Sequence, residues 1–255
     1  MLLEIDGISR DFGGVRALDG VGFSVEQGAI HGLIGPNGAG KTTLLNVLSG
    51  ITPPSGGRVR LEGREIQGQP PHRVAALGMA RTFQHIRLFA GLSCLENLIA
   101  GQHLKAKRPL LPRLLGLPAA RREEEYWRGQ AMDILELVGL KARAGFLASA
   151  LSYGERRRLE IARALASQPR LLLLDEPVAG MRPESLDKVA AVVRTLAQAG
   201  MTILLIEHNM NFVMGLCSRI TVLNFGRVIT SGSPAEVSCH PEVVEAYLGA
   251  AVCHA

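Results

Sequence analysis

Short uninterrupted apolar runs alternate with stretches of helical period along much of this chain. Ala29–Ile34, Leu171–Leu174 and Thr202–Glu207 are too short for helices and are bounded by turn-forming or polar residues, so each predicts a buried strand. Between the first two, Lys41–Ser49 gathers Leu44, Leu45, Val47 and Leu48 in a helical segment, and Gly50 stands where a C-cap belongs. Pro183–Gln198 predicts a further helix. Ile220–Leu223 and Arg227–Thr230 predict a hairpin around Asn224-Phe225-Gly226. Strands separated by helices point to an α/β fold with a mostly parallel sheet covered on both faces.

Two regions break this rhythm. Residues 1–28 alternate weakly and contain the turn Gly13-Gly14; with Gly57–Ile66 they predict short strands of an antiparallel patch. From 85 to 165 the pattern turns helical, over Glu96–His103, Arg121–Val138 and Glu155–Ser167, with Lys105–Pro118 as an irregular link or broken helix. The expected organisation is a core of residues 1–84 and 166–233, a helical subdomain inserted at 85–165, and a small helical tail at 234–255.

Composition narrows the class. The 255 residues suffice for one large domain or a domain with an insertion, and 47% hydrophobic residues allow a sizeable core. No apolar run approaches the roughly 18 residues that span a bilayer, and the first residues lack a signal-peptide pattern, so an intracellular protein is expected. Cys94, Cys217, Cys239 and Cys253 form no C-x-x-C pair and the histidines no metal motif, which fits free thiols in a reducing compartment. The net charge of +5 has two readings, an acidic partner such as nucleic acid or an anionic membrane, or plain solubility.

The chemistry is concentrated at strand ends. Gly35-Pro36-Asn37-Gly38-Ala39-Gly40-Lys41-Thr42 fits G-x-x-x-x-G-K-[ST] between a strand and a helix, the pattern of a phosphate-binding loop. Its glycines admit backbone amides close to phosphate oxygens, and the helix turns its positive end toward them. Lys41 is expected on the β- and γ-phosphates of ATP and the Thr42 hydroxyl on Mg²⁺; Thr43 completes the loop's nucleotide contacts. Asp175 and Glu176 end another buried run. Asp175 suits a second Mg²⁺ contact through water, and Glu176 the general base. Gln84 and His208 also follow predicted strands. Gln84 could contact Mg²⁺ or the lytic water, and His208 the γ-phosphate.

Ser152-Tyr153-Gly154-Glu155 is both a capping box and, after a flexible glycine, an anion site in which the Ser152 hydroxyl and Gly154 amide grip a γ-phosphate. Arg156-Arg157-Arg158 behind it either strengthen the positive field or form a solvated face. Phe12, on a turn near the phosphate loop, is read as an adenine-stacking ring or as an ordinary core residue.

The set Gly35–Thr42, Gln84, Leu151–Glu155, Asp175-Glu176 and His208, in this order, resembles the ATP-binding-cassette (ABC) ATPases. Ala80–Phe89, Leu151–Leu165, the insertion around Gln102–Arg128 and Gly232–Gly249 are similar to the larger ATPase of bacterial branched-chain amino-acid importers. This resemblance implies a P-loop NTPase fold of ABC type, in which two subunits close around ATP. It implies as partners a second ATPase in a homo- or heterodimer, two membrane permeases and, indirectly, a periplasmic binding protein, with no nucleic acid. The location implied is the cytoplasmic face of the inner membrane, with a permease helix docking near Ile86–Leu92. Two departures stand out. The signature ends in Glu155 where the family usually has Gln, and Gly180-Met181-Arg182-Pro183 replaces the frequent Gly-Leu-Asn-Pro. The rivals are a cassette for urea or amides and a soluble ABC protein acting on ribosomes or DNA.

Overall fold

The computed structural model describes residues 1–102 and 118–248. Most of the Lys105–Pro118 link and the end of the expected tail lie outside them. The chain forms two compact units, one of Met1–Arg81, Arg170–Ala179 and Val193–Ala255, the other of Thr82–Pro169 and Gly180–Val192.

The first unit contains both sheets. β1 (Leu3–Phe12) and β2 (Val15–Val25) form a long antiparallel pair, extended by β4 (Gly56–Leu61) and β5 (Arg64–Glu65) in the order β2-β1-β4-β5. These strands run longer than their weak alternation suggests, because register shifts along β1 break the period of two that sequence reading relies on. The second sheet runs β10-β9-β3-β8-β7-β6, with β3 (Ile30–Ile34), β6 (Met79–Arg81), β7 (Leu171–Asp175), β8 (Thr202–Ile206), β9 (Arg219–Asn224) and β10 (Arg227–Gly232). β9 and β10 are antiparallel; the other neighbours are parallel. Every residue of β3, β7 and β8 is buried, as unbroken Leu/Ile-rich runs require of central parallel strands.

Helix α1 (Lys41–Leu48) joins the two sheets into one core. Its Leu44, Leu45, Val47 and Leu48 pack with Ile8, Leu18 and Leu61 of the antiparallel sheet and with Leu33, Leu171, Leu204 and Leu223 of the other. Each fully buried side chain of this size contributes about 1.5–3 kcal/mol, so the helix that carries Lys41 is held firmly. Two short helices absent from the pattern, α2 (Pro71–Ala76) and α7 (Met210–Met214), also form.

The second unit is helical. α3 (Cys94–Gly101), α4 (Pro118–Leu137) and α5 (Tyr153–Ala166) pack on one another. Buried Asn97 pins the turn before α3. Its Nδ2 donates to the carbonyls of Phe89, Leu92 and Ser93 at 3.1, 3.3 and 2.9 Å. α6 (Pro183–Gln198) is shared by both units, and α8 (Pro234–Ser238) and α9 (Pro241–Leu248) close the described chain. Among the described residues no helix is long and apolar enough to cross a membrane.

His31 gives this core a pH dependence. Its ring stacks on Phe23, and Nε2 lies 2.8 Å from Thr221 Oγ1. Burial, with Arg219 nearby, pushes its pKa down to about 4. The folded chain therefore keeps His31 neutral where the unfolded chain binds a proton, below about pH 6.5. The associated stability is complete above that value and is lost as pH falls toward 4, by about 3 kcal/mol. Urea midpoints between pH 7 and pH 4.5 should fall more steeply for the natural chain than for His31→Gln.

Candidate functional site

β3, β8 and β7 are adjacent, so the segments that follow them leave the sheet at one edge. After β3 comes the loop Gly35–Gly40. A Cβ on Gly35 would stand 2.2 Å from the Leu223 carbonyl oxygen, and one on Gly40 2.7 Å from that of Ala17. Only glycine fits these approaches, and Gly38 and Gly40 also hold φ of 81° and 102°. The loop is tied on its far side, where the Gly226 amide donates to the Ala39 carbonyl at 3.0 Å. Pro36 is half-buried, and Asn37 and Gly38 are exposed.

Helix α1 opens on Gly40 without any side-chain cap. α3, α5 and α8, by contrast, each open on a Ser-x-x-Glu capping box. The first amides of α1 are thus left for a ligand, and phosphate at such an end meets both N–H groups and the positive end of the helix dipole. The Lys41 ammonium folds over the loop, donating to the carbonyls of Gly35 at 2.7 Å and Pro36 at 3.0 Å. Burial lowers its pKa, opposed by the charges of Glu176 and Asp175. Thr42 is exposed and Thr43 half-buried on the helix's first turn. A glycine-rich loop, an uncapped helix and a cation over it fit a nucleotide's phosphates.

Asp175 closes β7, 3% exposed. Arg81, at the end of β6, donates Nη2 to its Oδ2 at 2.9 Å and Nη1 to Asn46 Oδ1 and Ser49 Oγ. Glu176 follows in left-handed backbone (φ 48°), with its amide on the Ile206 carbonyl at 2.9 Å. A non-glycine residue held there points to a locally imposed geometry. Its Oε1 lies 2.8 Å from His208 Nε2. An ionised carboxylate can only accept, so Nε2 carries the proton. Among the described residues no cluster of three or more His, Cys, Asp or Glu is arranged to hold a metal. Mg²⁺ is usually bound by one or two protein ligands together with substrate phosphates, and the Thr42 hydroxyl and the Asp175 carboxylate are oxygen donors of the kind it takes.

Phe12, at the end of β1, is 45% exposed with the Arg10 guanidinium 4.5 Å from its ring centroid, so it is not a core residue.

The second unit holds the remaining residues. Ser152 and Glu155 make the full capping box. Ser152 Oγ and its amide lie 2.8 and 2.9 Å from Glu155 Oε2, and the Glu155 amide returns to Ser152 Oγ. The carboxylate therefore turns back onto its own helix, and these bonds, led by the Ser152 amide, lower its pKa. Ser152, Tyr153, Gly154, Met181, Arg182 and Ser185 line a cavity of about 380 Å³. Arg182 thus stands on the wall of the cavity that also contains Ser152.

Gln84 lies three residues past β6, exposed, in a loop gripped from α5. Arg157 donates Nη1 to the Phe83 carbonyl at 2.7 Å and to Glu160 Oε2 at 2.9 Å, and Nη2 to the Gln84 carbonyl. Glu160 Oε1 in turn accepts from the Phe83 and Arg87 amides. Arg157 and Glu160 are 1% and 2% exposed. Arg157 is buried, so it is no part of a solvated face, and Arg158 donates to the Val138 and Gly139 carbonyls. A charge triplet carries no sign of which member faces inward. The i,i+3 pair Arg157/Glu160 was the available clue.

Glu207 is a further buried carboxylate at this edge. It is 3% exposed, and its carboxylate accepts the Val178 amide at 2.8 Å, the His208 amide at 3.1 Å and the Asn209 amide. Burial raises its pKa against those bonds. Like Asp175, it is a carboxylate at the end of an apolar run, and that position is its signal in the sequence.

With this geometry the chain matches the family described as ABC transporter over residues 18–179, and the family described as branched-chain amino acid ATP-binding cassette transporter over residues 227–252. It is 43% identical to the high-affinity branched-chain amino acid transport ATP-binding protein BraF of Pseudomonas aeruginosa over 251 residues, and 44% identical to LivG of Salmonella typhimurium over 253; each alignment covers 98% of both chains. Among solved structures it is similar to the ADP conformation of MJ1267, an ATP-binding cassette of an ABC transporter. There the TM-score is 0.85 and the identity 34%, over 97% of this chain and 98% of that one.

Proposed function

This chain belongs to the ABC transporter family of ATP-binding proteins, and we propose that it hydrolyses ATP to power a bacterial importer of leucine, isoleucine and valine. The observation that carries the hydrolysis is the Glu176–His208 pair at a sheet edge shared with the uncapped phosphate loop. The cargo is supported by the relatives named for branched-chain amino acid transport and by the matching C-terminal segment.

In this mechanism the amides of Gly38–Lys41 and the Lys41 ammonium hold the β- and γ-phosphates. Phe12 offers its exposed face to the adenine. Thr42 and Asp175 would hold Mg²⁺, which would supply neutralisation of the charge that develops on the phosphates. Arg81 keeps the Asp175 carboxylate oriented. Glu176 accepts a proton from the attacking water as general base, and His208, whose Nε2–H rests on Glu176 here, turns that donor to the γ-phosphate when ATP is bound. Gln84 senses that phosphate, and its loop hands the change to α5 through Arg157. Ser152 and Gly154 act on nucleotide held by a second ATP-binding subunit, the same chain or a relative. The Ser152 hydroxyl must then turn its proton from Glu155 to the phosphate. The motor sits on the cytoplasmic face of the inner membrane against two permeases, which a periplasmic binding protein supplies.

Purification from native membranes in mild detergent tests this assembly. Two polytopic permeases and a second ATP-binding subunit should accompany the chain. Recovery with ribosomes or nucleic acid and no permease would refute it.

A further inference from the structure

Glu207 closes a ring of contacts around the hydrolytic pair. Its carboxylate accepts the amide of Val178, two residues beyond Glu176, through Oε1, and the amide of His208 through Oε2. It also accepts the Asn209 amide, and Asn209 Oδ1 in turn takes the Phe212 amide that opens α7. The side chains of Glu176 and His208 meet across the ring at 2.8 Å. We infer that Glu207 is a positioning residue for ATP hydrolysis, setting the separation and aim of Glu176 and His208 by holding both of their backbone segments on one buried carboxylate. This rests on the hydrolysis reading above.

A neutral hydrophobic residue could end β8 at far lower cost, since a buried carboxylate is expensive even when hydrogen-bonded. What the carboxylate adds is an acceptor with several lone pairs at one point, which no single backbone carbonyl facing two loops supplies. It fixes neither end of Lys41, whose bonds are to Gly35 and Pro36. Loss of Glu207 should therefore disturb the general base and leave phosphate binding almost intact. Glutamine in its place offers one acceptor oxygen and turns an NH₂ donor toward an amide that itself donates. The two segments are pushed apart, and a displacement of about 1 Å at a general base costs up to about a hundredfold in rate.

The test compares the full natural chain with Glu207→Gln, Glu207→Asp and Glu176→Gln. Steady-state phosphate release gives kcat and KM, and thermal melts report folding. The expected result is a kcat lower by about tenfold or more in Glu207→Gln, with KM for ATP within about threefold and a smaller loss in Glu207→Asp. A folded Glu207→Gln variant with kcat within about twofold of the natural chain would overturn the assignment. So would a rise in KM at unchanged kcat, or failure of both variants to fold, which would make the role one of stability alone. If the natural chain shows no ATPase activity that Glu176→Gln removes, the functional reading itself falls and takes this assignment with it.

Discussion

Glu176→Gln should lower kcat for ATP hydrolysis by about 10²–10⁴-fold while leaving ATP bound. The substitution keeps shape and hydrogen-bonding capacity, so the contact with His208 at 2.8 Å survives in some form. What it removes is the capacity to accept a proton. The Gly35–Gly40 loop and Lys41 are untouched, so nucleotide affinity should hold within a few-fold. ATP that is bound and not consumed should keep two subunits together. Size-exclusion chromatography with light scattering should show an ATP-dependent dimer for this variant, and ATP turnover should be near the detection limit. A variant that hydrolyses at the natural rate would remove Glu176 from the mechanism.

Lys41→Ala should abolish ATP binding in the micromolar range. The ammonium of Lys41 is poised by two carbonyls of its own loop. Each charge-assisted bond it makes to a phosphate is worth about 1.5–3 kcal/mol. Loss of two such bonds raises Kd by about two to four orders of magnitude. The helix itself should persist, because its buried leucines are unchanged. Titration with a fluorescent ATP analogue reads the affinity and a thermal melt without nucleotide reads the fold. An affinity within about threefold of the natural chain would mean that the phosphates bind elsewhere.

Much of the fold was legible because the central strands carry their own signal. Leu171–Leu174 and Thr202–Glu207 could hardly be anything but buried parallel strands, and they end within a residue of where they were expected. The antiparallel β1–β2 pair was legible as strands but not in length, since its shifts in register erase the alternation. At the site, motif spacing singled out the residues whose chemistry is tied to a short fixed string. Glu207 and the Arg157/Glu160 pair carried local signals, a carboxylate after an apolar strand and an i,i+3 spacing, but their backbone partners, like the Asp175 partner of Arg81, lie far along the chain. Arg81 reaches Asp175 across two neighbouring strands, and Glu207 takes the Val178 amide 29 residues away. Such partners are set by sheet order, which local pattern does not encode. The departure at Glu155 was predictable as a capping box because its partner Ser152 lies three residues upstream, within reach of local reasoning.

Uptake of radiolabelled leucine by intact cells tests the central claim most directly. Cells in which this chain is replaced by Glu176→Gln should lose high-affinity uptake of leucine, isoleucine and valine, and the natural chain should restore all three. Uptake that is the same in both strains would show that this chain drives something else.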